Sequence, residues 1–249
     1  MKIREATQSD VDAIRSIADR SLGSTYTDFL SEATVSDAID QWYGDGFEDD
    51  LEDDDTLVLV VERDGDVVAF SQTELVGKPH RTGKLLWLHV DPDHRGDGTG
   101  VRLLVRTRET LLEAGAEQVQ GFVLADNEGG NQFYRDHGFE KAGKREVEIG
   151  SETFTEAVYV ESELEDEGWG AIDELEVDGE TVFISYGEAA RGSKSPFYTA
   201  YQTEDREKRY GWLCGNCDSL DNAMDTMGRI ECNVCGNRRK ATRWDASYL

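Results

Sequence analysis

Leu88-His89-Val90-Asp91-Pro92-Asp93-His94-Arg95-Gly96-Asp97-Gly98-Thr99-Gly100 is the stretch on which the fold turns. An apolar strand, Leu85–Val90, runs into it. A helix over about 99–114 runs out of it, with Leu103, Leu104, Leu111 and Leu112 on its apolar side. Glycines permit unusual dihedrals and let the backbone approach a ligand closely. The free N–H groups and the dipole at a helix N-terminus then attract an anion, and pyrophosphate is the natural guest. The alternative is a tight strand-to-helix connection that binds nothing. A Walker A loop is excluded, because no Lys-Ser/Thr follows the last glycine. A dinucleotide fingerprint is excluded too: Gly96, Gly98 and Gly100 are evenly spaced, whereas G-x-G-x-x-G needs a longer second step.

Outward from this loop the elements alternate. Residues 2–7 read as a first strand, and Ser9 as the N-cap of a helix over about 10–21 with Val11, Ile14, Ile17 and Ala18 on one face. A second helix covers about 32–43. Strands 57–61 and 67–73 meet at Asp64-Gly65, a strong hairpin signal. Downstream, Gly115 stops the long helix, Val119–Leu124 is a strand, 127–137 is helical and Gly138 closes it. Strands at about 139–149 and 153–160 complete the unit. Acidic residues 161–170 carry no periodicity and read as a linker. Beyond it come short β runs at 174–177, 181–185, 197–201 and 209–213.

The motifs resemble the GNAT superfamily of acetyl-CoA-dependent N-acetyltransferases. Arg95, Gly98 and Gly100 match its [Q/R]-x-x-G-x-[G/A] loop. Asn127-x-x-Gly130-x-x-x-Tyr134-x-x-x-Gly138-Phe139 matches N-x-x-A-x-x-x-Y-x-x-x-G-F, with Gly in place of the usual Ala. The opening IREAT and the hairpin DGDVVAFSQ follow the same order, so the resemblance covers about residues 1–160. It implies an α/β (α+β) fold with a mixed, mostly antiparallel sheet flanked by helices. It also implies a cleft where the fourth and fifth strands splay around the pantetheine arm of acetyl-CoA. The backbone of Leu88, His89 and Val90 would pair with that arm. The amides of Arg95, Gly96, Asp97, Gly98, Thr99, Gly100 and Val101 would hold the pyrophosphate, with Asn127 and Phe133 nearby. Tyr134 would be the catalytic acid that protonates the departing thiolate; a buried structural tyrosine is the alternative. The general base is not evident. Strand alternation puts Lys84, Leu86 and Leu88 on one face and Leu85, Trp87 and His89 on the other. Family members carry a base in the register of 84 and 86, where this chain has no carboxylate or imidazole. Some N-terminal acetyltransferases use a Glu at the position of Phe122. His89, Glu74 and a water relay stay as candidates.

All four cysteines fall in one segment, Cys214-x2-Cys217 and Cys232-x2-Cys235, in a C-x2-C-x14-C-x2-C arrangement. Two C-x2-C turns supply four soft ligands for tetrahedral zinc, with Gly215 and Gly236 making the tight turns. Such a closed site is structural and substitutes for the core a short segment cannot build. An iron–sulfur centre or two redox pairs are the alternatives. The segment resembles a small zinc-ribbon-like domain of unknown function in haloarchaeal proteins. Asp205 to Asp245 holds seven carboxylates and eight Lys+Arg, with Tyr210, Trp212 and Trp244 beside the knuckles. Protein docking or a purely structural role is favoured, and nucleic-acid contact stays open.

The 249 residues carry 26 Lys+Arg against 53 Asp+Glu, a net charge of −27. With 8 Lys and 18 Arg, and carboxylates spread along the whole chain, the bias reads as a halophilic adaptation more than as a binding stripe. A surface this acidic disfavours broad nucleic-acid coating and attracts cationic amines. No apolar run reaches the roughly 18 residues of a membrane span, and the N-terminus carries no signal-peptide core. Four cysteines in metal spacing suit a reducing compartment. The expectation is therefore a cytoplasmic protein with a GNAT acetyltransferase domain (1–162), an acidic linker (163–170) and a β-rich zinc domain (171–249). It transfers acetyl from acetyl-CoA directly to an amine of a protein, peptide or small molecule. The rival is a non-catalytic acetyl-CoA-binding adaptor whose ribbon docks a protein or nucleic acid.

Overall fold

A computed structural model describes residues 1–27, 30–44, 46–161, 172–226 and 228–239. The expected linker 163–170 lies outside the described residues, as do Lys240, Arg243 and Trp244. The coordinates divide into two compact units, one spanning Ile3–Leu164 and one built on Glu165–Leu249.

The larger unit begins with β1 (Lys2–Glu5), α1 (Val11–Tyr26), α2 (Glu32–Tyr43) and the short α3 (Phe47–Asp50). Next come β2 (Thr56–Arg63), β3 (Asp66–Val76), β4 (Arg81–Val90), α4 (Thr99–Glu113) and β5 (Ala116–Leu124). It ends with α5 (Glu128–Asp136), β6 (Phe139–Ile149) and β7 (Glu152–Glu161). The seven strands form one sheet in the order β1-β2-β3-β4-β5-β7-β6. β4 and β5 are parallel, and the other pairs with a defined register, β2 to β4 and β5 to β6, are antiparallel. The mostly antiparallel sheet flanked by helices is the expected fold class.

Local chemistry accounts for the elements. Asp64 and Gly65 both adopt positive φ (54° and 96°), as a two-residue hairpin turn matching the sheet twist requires. Ser31 caps α2 by accepting the Thr34 amide at 3.1 Å. The expected cap at Ser9 is replaced. Thr7 and Asp10 form a capping box around a 3-10 turn, Gln8–Asp10, in which Asp10 accepts the Thr7 amide at 2.8 Å and a two-pronged contact from Arg4 at 2.8 and 2.9 Å, and α1 follows at Val11. α1 and α2 cover one face of the sheet: Val11, Ile14, Ile17 and Ala18 meet Val58, Val60 and Phe70. α3, hidden inside the acidic stretch, places Phe47 in the same core. Each such side chain contributes about 1.5–3 kcal/mol by leaving water.

β4 does not alternate as expected. Thr73 pairs with Leu85 and Gln72 with Trp87, so Leu86 is an unpaired extra residue, a β-bulge. The bulge shifts the phase of everything after it. Gly83 faces Leu111 of α4, and Leu85 shares that face; Trp87 and His89 point to the α1 side, in line with Lys84 rather than opposite it.

The smaller unit has β8 (Ile172–Val177), β9 (Glu180–Ala190), β10 (Phe197–Tyr201) and β11 (Arg209–Cys214) in a sheet of order β11-β10-β9-β8. β12 (Asn222–Met224), β13 (Ile230–Cys232) and β14 (Arg238–Arg239) form a second small sheet. β10 is buried along its full length. Phe197 and Ile230 pack with Cys214 and Cys232.

Candidate active site and metal centre

The larger unit is open at one place. The parallel pairing of β4 with β5 runs from Arg81↔Ala116 to Leu85↔Gly121 and stops. Both strands continue, and each keeps its outer neighbour: β4 pairs with β3 as far as Val90, and β5 pairs with β7 as far as Leu124. The inner edges after Leu85 and Gly121 therefore form a fork whose backbone groups have no strand between them. Backbone N–H and C=O groups need partners, and an extended guest chain is what such an edge accepts.

Tyr134 stands at the base of the fork. Its ring lies so close over Gly121 that a Cβ there would sit 2.3 Å from Cε1 and 2.7 Å from the hydroxyl. It is stacked on Tyr159 at 5.3 Å and edge-on to Phe139 at 5.2 Å, while Tyr159 donates to Asn131 Oδ1 at 2.9 Å. The packing fixes the ring. Burial, followed by the nearby Tyr26 and Glu156, pushes the phenol well above its ordinary pKa, so it stays protonated. Gly121 was not singled out in the sequence; a lone glycine in a strand signals only close approach.

The loop after β4 has the geometry of an anion cradle. Gly96 and Gly98 have φ of 84° and 77°, and Gly98 caps α4 in the left-handed region. Gly100 is less constrained: a Cβ there would meet Val90 Cγ2 at 3.5 Å and the Phe133 ring at 3.6 Å, both ordinary contacts. Val90, Gly100 and Phe133 thus meet at the mouth. Asp97 is the one carboxylate within the glycine run, and it accepts from the Thr99 amide (3.2 Å), the Thr99 hydroxyl (2.6 Å) and Arg63. Burial alone would raise its pKa, but these bonds outweigh it and hold the carboxyl at about 2. Asp97 therefore competes with an anion for the Thr99 N–H. Asn127 is turned inward. Its Oδ1 accepts the Gly130 amide at 2.8 Å and its Nδ2 donates to Tyr26 at 3.0 Å. The glycine at 130 has a cause: a Cβ would press on Asn127 Nδ2 at 2.7 Å and Val123 Cγ1 at 2.9 Å.

The two residues weighed as bases fare differently from expectation. His89 does share a face with Lys84, because of the bulge. It is nonetheless buried, with Nδ1 at 3.0 Å from Ser21 Oγ, and burial followed by the Arg95 charge pushes it down to about 3. It is a core histidine. Glu74 lies opposite Lys84 (3.8 Å), on the closed side of the fork. A third carboxylate, Glu156 of β7, sits across from Leu124, beyond the fork's base. It is buried and accepts from Arg145 Nε at 2.6 Å; the Arg145 guanidinium in turn lies 3.7 Å from the centroid of the Phe122 ring. Sequence offered no signal for Glu156, one acid among 53.

In the smaller unit the four Sγ atoms lie within 4.8 Å of one another, with Cys214–Cys235 at 3.6 Å and Cys217–Cys232 at 3.5 Å. These separations exceed a disulfide bond and approach the roughly 3.8 Å edge of a tetrahedron with Zn–S of about 2.3 Å. The donor set fits zinc. The two knuckles repeat one geometry. The amide four residues after the first cysteine returns to its carbonyl, Asp218 to Cys214 at 2.8 Å and Gly236 to Cys232 at 2.9 Å. Both residues have positive φ (52° and 67°). Gly215 is thus not the turn residue of its knuckle. It is needed for closeness, since a Cβ would meet Ser195 Oγ and Tyr198 Cε2 at 2.8 Å. Buried Asn237 ties the centre together. Its Nδ2 lies 2.7 Å from Ser195 O and 3.4 Å from Cys214 Sγ, and its Oδ1 accepts the Lys194 amide at 2.9 Å.

The acetyltransferase (GNAT) family matches residues 21–139, which contain the fork, the glycine loop and Tyr134. Residues 21–139 form a GNAT domain. Residues 178–249, with all four cysteines, match a family of unknown function, DUF5816. Solved structures with the GNAT fold are similar to the larger unit. The PaiA N-acetyltransferase of Thermoplasma acidophilum, in complex with coenzyme A, is 20% identical with a TM-score of 0.56, covering 65% of this chain and 98% of that one. A probable acetyltransferase of Staphylococcus epidermidis is 17% identical with a TM-score of 0.54, covering 65% and 98%. A GCN5-related N-acetyltransferase of Rhodopseudomonas palustris is 19% identical with a TM-score of 0.53, covering 64% and 94%. Among the described residues, no helix is long and apolar enough to cross a membrane.

Proposed function

We propose that this protein is an acetyl-CoA-dependent N-acetyltransferase that moves acetyl directly to an amine. The observation that carries the reading is the fork: pairing that ends at Leu85↔Gly121 with Tyr134 over its base and a glycine-rich helix start at its mouth. Acetyl-CoA would supply the thioester. Leu88, His89 and Val90 would offer backbone groups to its pantetheine arm, and the amides of Arg95 to Val101 would take the phosphates, with the Thr99 amide released by Asp97. Asn127 and Phe133 shape the mouth.

The amine nitrogen attacks the thioester carbonyl carbon, the C–S bond breaks, and Tyr134 gives its hydroxyl proton to the sulfur. A dry site that keeps the phenol protonated also makes the departing thiolate more basic, so the transfer is less uphill than the shifted phenol alone suggests. Glu156 is our candidate for receiving the acceptor's ammonium and its proton. Its position beside Phe122 puts a carboxylate from β7 next to where some N-terminal acetyltransferases carry theirs on β5. We assign residues 1–162 to catalysis, 163–170 to an acidic linker and 171–249 to a domain folded around one structural zinc held by Cys214, Cys217, Cys232 and Cys235.

The test is thiol release from acetyl-CoA by the zinc-loaded protein with small amines and basic peptides as acceptors. Acceptor-dependent release that falls in Tyr134→Phe supports the enzyme. Tight acetyl-CoA binding without release for any acceptor would point to the non-catalytic adaptor.

A further inference from the structure

The ribbon unit holds a groove that the acetyltransferase reading does not use. It has a volume of about 710 Å³ and is lined by Ala189, Ala190, Arg191, Gly192, Ser193, Arg238 and Arg239. Three of the seven are arginines, and none is a carboxylate. On a chain with 53 acids and a net charge of −27, a concave wall of this composition runs against the rest of the surface. The cationic lining extends past the groove. The Arg239 guanidinium lies 5.0 Å from the centroid of the Trp212 ring and Arg209 lies 4.9 Å from it. These stacks hold two guanidinium groups against one ring. Arg238 is braced by Glu231 at 2.7 Å, while Arg191 is exposed.

The groove is also fastened to the cysteine centre. Ser193 Oγ accepts the Arg238 amide at 3.0 Å, closing the groove's two walls on each other. The same hydroxyl donates to Asn237 Oδ1 at 3.3 Å, and Lys194 Nζ donates to the Cys235 carbonyl. Asn237 in turn lies against Cys214 Sγ. The walls are held by the groups that hold the second knuckle, so the groove's shape depends on the metal.

We propose that this groove binds the phosphodiester backbone of a single-stranded nucleic acid, and does so only in the metal-loaded protein. Planar guanidinium forks match phosphate oxygens two at a time. Small residues at 189 and 190 leave room for a strand to lie close to the wall. The cationic groups exceed what one phosphate needs: Arg191, Arg238 and Arg239 line the groove, and Arg209 shares the Trp212 ring with Arg239. Trp212, already stacked against guanidinium groups, is poorly placed for base stacking, so binding should be backbone-led and indifferent to sequence. This inference stands apart from acetyl transfer and survives if that reading fails.

The experiment is fluorescence anisotropy of a fluorescein-labelled 12-nucleotide oligouridylate titrated with zinc-loaded full-length protein at 50–300 mM KCl. Saturable binding is expected, with a slope of log K against log [KCl] of about −2, from roughly −0.7 per neutralised phosphate at three arginines. Arg191→Gln with Arg239→Gln should weaken binding at least about tenfold and flatten the slope. Arg191→Glu alone, at an exposed position, should weaken it in the same direction; zinc content and circular dichroism identify a variant that failed to fold. Arg229→Gln, outside the groove, should have no effect, and zinc removal should abolish binding. The proposal is overturned by no saturable binding at 50 mM KCl, by unchanged affinity in the folded groove variants, or by unchanged binding after zinc removal. Displacement of the oligonucleotide by poly-glutamate as effectively as by unlabelled oligouridylate would overturn the nucleic-acid assignment in favour of an acidic protein partner.

Discussion

The two units of this chain reach a fixed geometry by different means. In the larger one, position follows from apolar packing: Tyr134 is oriented by Tyr159, Phe139 and the bare backbone of Gly121, and the fork is held open because each inner strand is paired on its outer side. In the smaller one, the core around the cysteines is little more than Phe197 and Ile230 with the thiols themselves, and four sulfurs within 4.8 Å supply the constraint. A packed site degrades gradually as side chains are trimmed. A metal-held site is present or absent. The difference predicts where each unit is vulnerable.

The sharpest way to break the comparison is metal removal. Chelation, or Cys217→Ser, should strip hydrogen-exchange protection from β11–β14, because structural zinc is worth about 10–16 kcal/mol to small sites of this kind. Retained protection after complete chelation would mean that the apolar residues hold this unit without metal. Next in size is Tyr134→Phe, which keeps the ring and deletes the proton. We expect kcat to fall about 10²–10⁴-fold with acetyl-CoA affinity unchanged. The companion change Gly121→Ala keeps the hydroxyl and displaces the ring, and should lose activity and thermal stability together.

Glu156→Gln should lower kcat/KM by about 10²-fold for amine acceptors, the low end of the general acid–base range, while leaving acetyl-CoA binding intact. An unchanged value would return the base to solvent. Asn237→Ala, the comparable edit beside the metal, should weaken zinc affinity about 10–100-fold in a chelator competition without unfolding the loaded protein. The smallest effect concerns pH. On the proposed reading Tyr134 acts in its protonated form, and burial holds its pKa above the ordinary tyrosine value. Its contribution should therefore persist as pH rises and be lost only beyond that value. The rate should not decline between about pH 8 and 10, an interval in which an unshifted phenol would begin to ionise.

Sequence made the fold legible wherever a local rule decides. Asp64-Gly65 turns as a hairpin with positive φ at both residues, and Gly115 and Gly138 end their helices in the left-handed region. It failed where a distant partner decides. The Ser9 cap lost to a Thr7–Asp10 capping box whose carboxylate is fixed by Arg4, itself bonded to Glu62 of β2. α3 was invisible because a single aromatic, Phe47, anchors an otherwise acidic segment. The site divides the same way. The glycine loop, Tyr134 and the cysteines are carried by spacing along the chain, whereas Gly121 and Glu156 matter only through what folding sets against them. Gly215 was noticed for the wrong reason: its bareness serves a neighbour, and Asp218 makes the turn.

The unpaired residue at Leu86 has a consequence for the length of the chain itself. A strand counts in twos, and this one carries a single unpaired residue between Leu85, opposite Thr73, and Trp87, opposite Gln72. Deleting one residue there would leave composition and hydropathy almost unchanged. It would set Leu85 and Trp87 next to each other opposite Thr73 and Gln72 and leave Trp87 and His89 on the α1 side, whereas deleting Leu88 would send His89 toward the layer of Leu103 and Leu104, which is already full. β4 should therefore tolerate deletion at position 86 better than deletion at its paired neighbours, so a scan of single-residue deletions along residues 81–90 would locate the bulge in living cells without any structure at all.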